Sequence, residues 1–102
     1  MRESQIQSSI RSALNRDGRC RVVRFSVGYD EAKRIRYGQV GAPDLIGVLR
    51  DGHAFCVEVK RQGDRLRPEQ QAWWRWAREW GVRGGVATSV EEALALLDAA
   101  TT

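Results

Sequence analysis

Apolar residues recur every four positions near the start of the chain, at Ile6, Ile10 and Leu14 with Ala13 beside them, and polar residues fill the gaps. That spacing predicts an amphipathic helix over residues 2–15, which Asp17-Gly18 would end. Residues 20–27 are rich in valine and phenylalanine, with Arg21 and Arg24 interspersed, and predict a strand. Residues 28–42 are basic and read as a loop carrying Tyr29, Lys33, Arg34, Arg36 and Tyr37. A connection that long in a small domain is usually functional or mobile. Two strand-like runs, 44–50 and 53–60, flank Asp51-Gly52 and predict a hairpin. Pro68 opens a helix as its first residue, and Gly81 ends it. Residues 85–88 predict a short strand, and Ser89 with Glu92 makes a capping box for a last helix through about Asp98.

The order α-β-β-β-α-β-α predicts an α/β fold, a mixed central sheet flanked by helices. The 102 residues suffice for one domain spanning 1–102, with no repeat or linker in view. No apolar run approaches the roughly 20 residues of a membrane span. The polar opening Arg2-Glu3-Ser4-Gln5 lacks the apolar core of a signal peptide. Cys20 and Cys56 have no metal-ligand spacing and sit in apolar runs, so they read as reduced core thiols of a cytoplasmic protein.

Charge sharpens the picture. The net charge is +4, and all 17 Lys and Arg fall within residues 1–83, while the rest of the chain carries Glu91, Glu92 and Asp98. A basic face with one neutral-to-acidic end suits a polyanionic partner, and the bland reading is a solvated basic surface. Arginine is the default cation; only Lys33 and Lys60 are lysines. A position that keeps lysine wants a compact point charge rather than a planar fork.

The chemistry concentrates in Pro43-Asp44 followed, after the strand and turn, by Glu58-Val59-Lys60. In a strand, Glu58 and Lys60 share a face and Val59 points to the other. A two-residue turn at Asp51-Gly52 would pair Asp44 with Val59, on the wrong face. A three-residue loop, Arg50-Asp51-Gly52, sets Leu49 opposite His53, Ile46 opposite Cys56 and Asp44 opposite Glu58, with glycine where a left-handed backbone is expected. We adopt that register. It leaves Leu45, Leu49, Phe55, Val57 and Val59 on an apolar opposite face. Two carboxylates at cross-strand distance repel unless a cation lies between them, and hard oxygen ligands suit Mg²⁺ or Mn²⁺. Lys60 would orient or deprotonate a water and offset phosphoryl charge. The bland alternative has Asp44 capping a turn and Glu58 with Lys60 as an exposed edge pair.

These motifs resemble the PD-(D/E)xK nuclease superfamily, with its restriction-endonuclease-like core, and more narrowly the VRR-NUC family in its stand-alone, phage or bacterial form. The resemblance rests on Gly41-Ala42-Pro43-Asp44-Leu45, on Glu58-Val59-Lys60, on Gly63 with Leu66-Arg67-Pro68-Glu69-Gln70, and on Glu3 ahead of Ile6-Gln7. It implies that Asp44, Glu58 and the Val59 carbonyl hold the metal, that Glu3 adds a contact, often through water, and that Lys60 is the catalytic lysine. It places Gln70 in the site, on a helical stripe with Trp73, Ala77 and Trp80. Arg67 departs from the family's small hydroxyl cap, which weakens the cap but adds a cation. The activity implied is a Mg²⁺- or Mn²⁺-dependent endodeoxyribonuclease with no organic cofactor, and stand-alone members imply a homodimer acting on branched DNA such as Holliday junctions.

Other residues are assigned on their surroundings. Lys33, Arg34, Arg36, Arg61, Arg65 and Arg67 flank the motifs and are candidates for DNA phosphates. His53 lies beside the hairpin turn, away from the carboxylates. Trp73, Trp76 and Trp80 read as core, while Trp74 falls off their stripe and reads as a dimer contact or a base-stacking residue. Two rivals stay open: a non-catalytic nucleic-acid-binding module, and a nicking or restriction-like nuclease on linear duplex.

Overall fold

The four-residue spacing of Ile6, Ile10 and Leu14 is realised in α1 (Glu3–Asp17), whose Ile10 and Leu14 are fully buried. The computed structural model describes residues 2–25, 28–30, 32–37 and 40–102, with the backbone alone for 28–30 and 35–37. After α1 come β1 (Cys20–Arg24), β2 (Gly28–Asp30), β3 (Ile35–Tyr37), β4 (Leu45–Leu49), β5 (Ala54–Val59), α2 (Pro68–Glu79), β6 (Arg83–Ala87) and α3 (Val90–Ala100).

The main sheet has the order β1-β4-β5-β6. β4 is antiparallel to both β1 and β5, and β6 runs parallel to β5. Parallel neighbours need a crossover, which α2 supplies. One face of the sheet packs on α1 and α3 through Leu45, Phe55, Val57, Val59, Leu97 and their neighbours. The other face packs on α2 through Cys56 and Ile46 against Trp73, Trp74 and Ala77. β5 lies between β4 and β6, and Phe55 to Val59 are buried on both faces.

The β4–β5 connection settles the register. Ile46 faces Cys56 and Val48 faces Ala54, the Leu49 amide donates to the His53 carbonyl at 2.8 Å, and Gly52 takes φ 93°. This is the three-residue loop, with glycine in the left-handed region that side chains resist.

Two expectations need correction. The segment read as a loop contains β2 and β3, which pair with each other as a separate two-stranded sheet around a turn at 32–34. Strands of three residues are too short for alternation to register, and the basic composition masked them. The buried side of α2 is Gln70, Trp73, Trp74 and Ala77, whereas Trp76 is 42% exposed and Trp80 81% exposed. The i, i+3, i+4, i+7 face includes Trp74, and α2 ends at Glu79, so Trp80 stands past its last turn.

β1 is an edge strand, and α1 guards it. The Asn15 amide donates to the Val22 carbonyl at 2.9 Å and accepts from the Val22 amide at 2.8 Å, doing for the edge what another strand would do. Asn15→Ala would strand both backbone groups. The expected cost is about 1–2 kcal/mol, a fall in Tm of roughly 5–15 °C by calorimetry; an unchanged Tm would show that solvent satisfies the edge equally well.

Candidate active site

Asp44 enters the sheet from a loop whose path is fixed by packing. Gly41 has φ 88°, and a Cβ there would lie 2.3 Å from the Glu69 carbonyl oxygen in the first turn of α2. Pro43 is buried behind it. The loop therefore rests directly on the start of α2. Asp44 then lies one step beyond the β4–β5 ladder, across from Glu58, and its Oδ2 accepts the Val59 amide at 2.8 Å. Gly41→Ala should strain the backbone and push the loop off α2, costing about 1–3 kcal/mol and weakening divalent-cation binding in calorimetric titration.

Glu58, Lys60 and Gln70 are 3%, 8% and 4% exposed, the three buried polar or charged side chains among the described residues. Glu58 and Lys60 occupy alternate positions on the α2 side of β5. Gln70 reaches them from the first turn of α2. Its Nε2 donates to Glu58 Oε1 at 3.3 Å, and its Oε1 accepts the Arg67 amide at 2.9 Å. The amide is held at both ends and so positions Glu58 against the helix start.

The second Glu58 oxygen, Oε2, is buried with no hydrogen-bond partner. An orphaned carboxylate oxygen is costly in a site this dry. Burial first, and then the Asp44 carboxyl beside it, push the Glu58 carboxyl up to about 9, with Glu3 adding through space and Lys60 opposing the rise. The Glu58 carboxyl therefore resists ionising unless further positive charge is brought to it. An orphaned hard oxygen beside a second carboxylate is the donor chemistry that a Mg²⁺ or Mn²⁺ ion fits. Among the described residues no three His, Cys, Asp or Glu side chains gather as a metal cluster. The protein's own set is the two carboxylates, which suits an ion that retains several waters.

Among the described residues, the basic side chains that flank the motifs in sequence lie in solvent. Arg61 pairs with Asp64 at 3.7 Å and Arg67 with Glu69 at 2.9 Å, both pairs in solvent, and Arg65 is exposed. Lys33 and Arg34 are exposed at the β2–β3 turn, while the side chains of Arg36, Tyr29 and Tyr37 lie outside the described residues. His53 sits at the far end of β5 with Asp51 at 3.1 Å, away from the carboxylates. Both cysteines are free and buried.

With this geometry in view, the sequence profile of the VRR-NUC domain matches residues 1–91. The chain belongs to the VRR-NUC family. A solved structure described as a VRR_NUC domain shares 26% identity with it, over 94% of each chain, with a TM-score of 0.71. No curated protein matches the sequence. The fold is therefore that of a VRR-NUC domain, consistent with a PD-(D/E)xK core, and the function class is nuclease.

In this VRR-NUC domain the structure brings Asp44, Glu58, Lys60 and Gln70 together and sets Glu3 within electrostatic reach of Glu58. Sequence reasoning passed over Arg2. It is the N-cap of α1, directly before Glu3, and its amide donates to Gln5 Oε1 at 2.9 Å just as that of Arg67 donates to Gln70. The signal was legible as Arg-x-x-Gln ahead of two helices. Both helix starts thus carry an arginine whose backbone amide is capped by the glutamine three residues on.

The raised Glu58 carboxyl has a thermodynamic consequence. The folded state holds this proton more tightly than the unfolded chain, so metal-free protein loses stability as pH rises from about 4.5 towards about 9. Glu58→Gln should flatten that slope in denaturant titrations, and Mg²⁺ should stabilise the wild type but not the variant. An identical slope in the two proteins would mean that Glu58 ionises freely when folded.

Proposed function

We propose that this domain is a Mg²⁺- or Mn²⁺-dependent DNA endonuclease hydrolysing phosphodiester bonds. The observation that carries the reading is the buried Glu58 carboxylate, with one oxygen orphaned, set across from Asp44 and on the same strand face as Lys60. Asp44, Glu58 and the Val59 carbonyl would hold the cation, with Glu3 contributing through water. Such an ion supplies Lewis-acid polarisation of a phosphate oxygen and a more acidic water. Lys60, largely desolvated, orients that water or accepts its proton and offsets charge developing on the phosphoryl oxygens. Gln70 keeps Glu58 in place. Arg61, Arg65 and Arg67, with Lys33, Arg34 and Arg36, are the phosphate contacts that would position the strand.

The finer reading is a homodimer selective for branched DNA. Val23 and Val48, 66% and 44% exposed, share the half of the sheet face that α2 leaves uncovered, and they give a second copy an apolar surface. A two-fold pair would set two sites for paired cuts. Free, buried Cys20 and Cys56 support a reducing, cytoplasmic setting.

Purified protein with Mg²⁺ or Mn²⁺ should cut labelled DNA, and Lys60→Ala should slow cutting about 10²–10³-fold. A panel of four-way junction, flap, linear duplex and single strand resolves the substrate. Symmetric junction cuts support the dimeric resolvase, and equal cutting of linear duplex removes junction selectivity while keeping the nuclease. Folded, metal-loaded protein that cuts nothing in a Lys60-dependent way would make it a binding module instead.

A further inference from the structure

We propose that Trp76 and Trp80 form a stacking platform for unpaired bases of the DNA substrate, an inference that rests on the nuclease reading above. Trp76 lies in the last turns of α2 and Trp80 is the residue that caps its end, four positions on, so the two lie at neighbouring points of one side. They are 42% and 81% exposed, while Trp73 and Trp74 in the same helix are buried. An exposed indole presents a flat apolar face on which a base of any kind can stack.

The platform is built rather than incidental. Trp76 rests edge-on against buried Trp73, with ring centroids 5.3 Å apart and planes at 61°, so its orientation is set before any ligand arrives. The Trp80 amide donates to the Trp76 carbonyl at 3.1 Å, which holds Trp80 in register just past the last turn. Arg75, exposed one position before Trp76, supplies a cation for the phosphates that accompany a base. Arg78 turns the other way, over the Trp74 ring at 5.1 Å and towards the Gly84 carbonyl, and serves the interior.

Continuity with the active site favours nucleic acid as the occupant. The first turn of the same helix carries Gln70, which donates to Glu58. At about 1.5 Å of rise per residue, Trp76 stands roughly 9 Å and Trp80 roughly 15 Å further along the axis. At about 3.4 Å per stacked nucleotide, those distances correspond to roughly three to five nucleotides counted from Gln70. The exposed parts of the two indoles amount to only about 200–300 Å². A stable protein partner needs about 800 Å² a side, so a second copy is the weaker fit.

Tryptophan fluorescence tests this directly, with a short oligothymidylate as probe and Lys60→Ala protein in Mg²⁺ so that the strand stays intact. Binding should quench the emission. Trp76→Ala and Trp80→Ala should each weaken binding about 5- to 100-fold, and Trp76→Phe should recover part of the loss by keeping a ring. Equal affinity of the alanine variants and the parent would overturn the proposal. So would a dimer that falls to monomer in sedimentation when both tryptophans are replaced, because the surface would then belong to a second copy. Quenching in a protein that shows no Lys60-dependent cutting would support the platform while removing the nuclease reading.

Discussion

The buried carboxylate of Glu58 sets terms that the surrounding structure has to meet. It sits on the strand packed on both faces and paired on both edges, where solvent cannot screen it. One oxygen is held by Gln70, and the other has no partner. Replacing such a group with an apolar side chain of similar size often stabilises a protein. Its presence therefore weakens the fold unless a cation completes it, and that cost is the reason the position reads as chemistry rather than packing. Lys60, two residues along the same strand face, only partly offsets the charge, because the Glu58 carboxyl stays near 9 despite it.

Meeting those terms requires three chain segments to end at one place. β5 delivers Glu58 and Lys60, the loop through Gly41 and Pro43 delivers Asp44, and the α2 crossover delivers Gln70. The parallel pairing of β5 with β6 makes this possible, since the crossover helix must start where β5 ends. Gly41 is the joint: only a residue without Cβ lets the Asp44 loop lie against the Glu69 carbonyl, so the path of that loop is tied to the start of the helix carrying Gln70. The starts of α1 and α2 bring positive dipole ends to the same region, a favourable environment for a phosphate and an unfavourable one for a free cation. Two carboxylates at the centre with cations outside them resolve that conflict.

Much of this was legible in the residues. The three-residue register followed from glycine at the left-handed position and from the apolar alternation of Leu45, Phe55, Val57 and Val59, and it placed Asp44 across from Glu58 without tertiary information. The last helix was marked by Ser89, which caps Glu92 as expected, although the Glu92 carboxylate turns to Thr88 rather than to the Ser89 amide. The short β2–β3 pairing was not legible, because three residues carry no period. The tryptophans misled for a different reason. A stripe drawn through Gln70, Trp73, Ala77 and Trp80 looks helical, but at about 100° per residue Trp74 lies about 40° from Gln70 and Trp80 about 80°. The face that α2 buries runs from Trp73 through Gln70 to Trp74, which brings Trp74 into the core, and Trp80 is left in water because it stands past the end of the helix.

The arginine caps show how stability and binding trade in this fold. A guanidinium carries no acceptor, so Arg2 and Arg67 cannot perform the half of a capping box that a serine would. Only the reciprocal half is made, by Gln5 and Gln70 accepting the cap amides. At α2 that choice reaches the active site. A glutamate at position 70 would cap Arg67 equally well, but it would set a third carboxylate against Glu58 and raise its proton affinity further. Glutamine caps with its oxygen and donates to Glu58 with its nitrogen, the one amide serving the helix and the carboxylate together. The lost hydroxyl cap is then exchanged for a guanidinium at the helix start, where a phosphate strand approaching Asp44 and Glu58 would need a counter-charge.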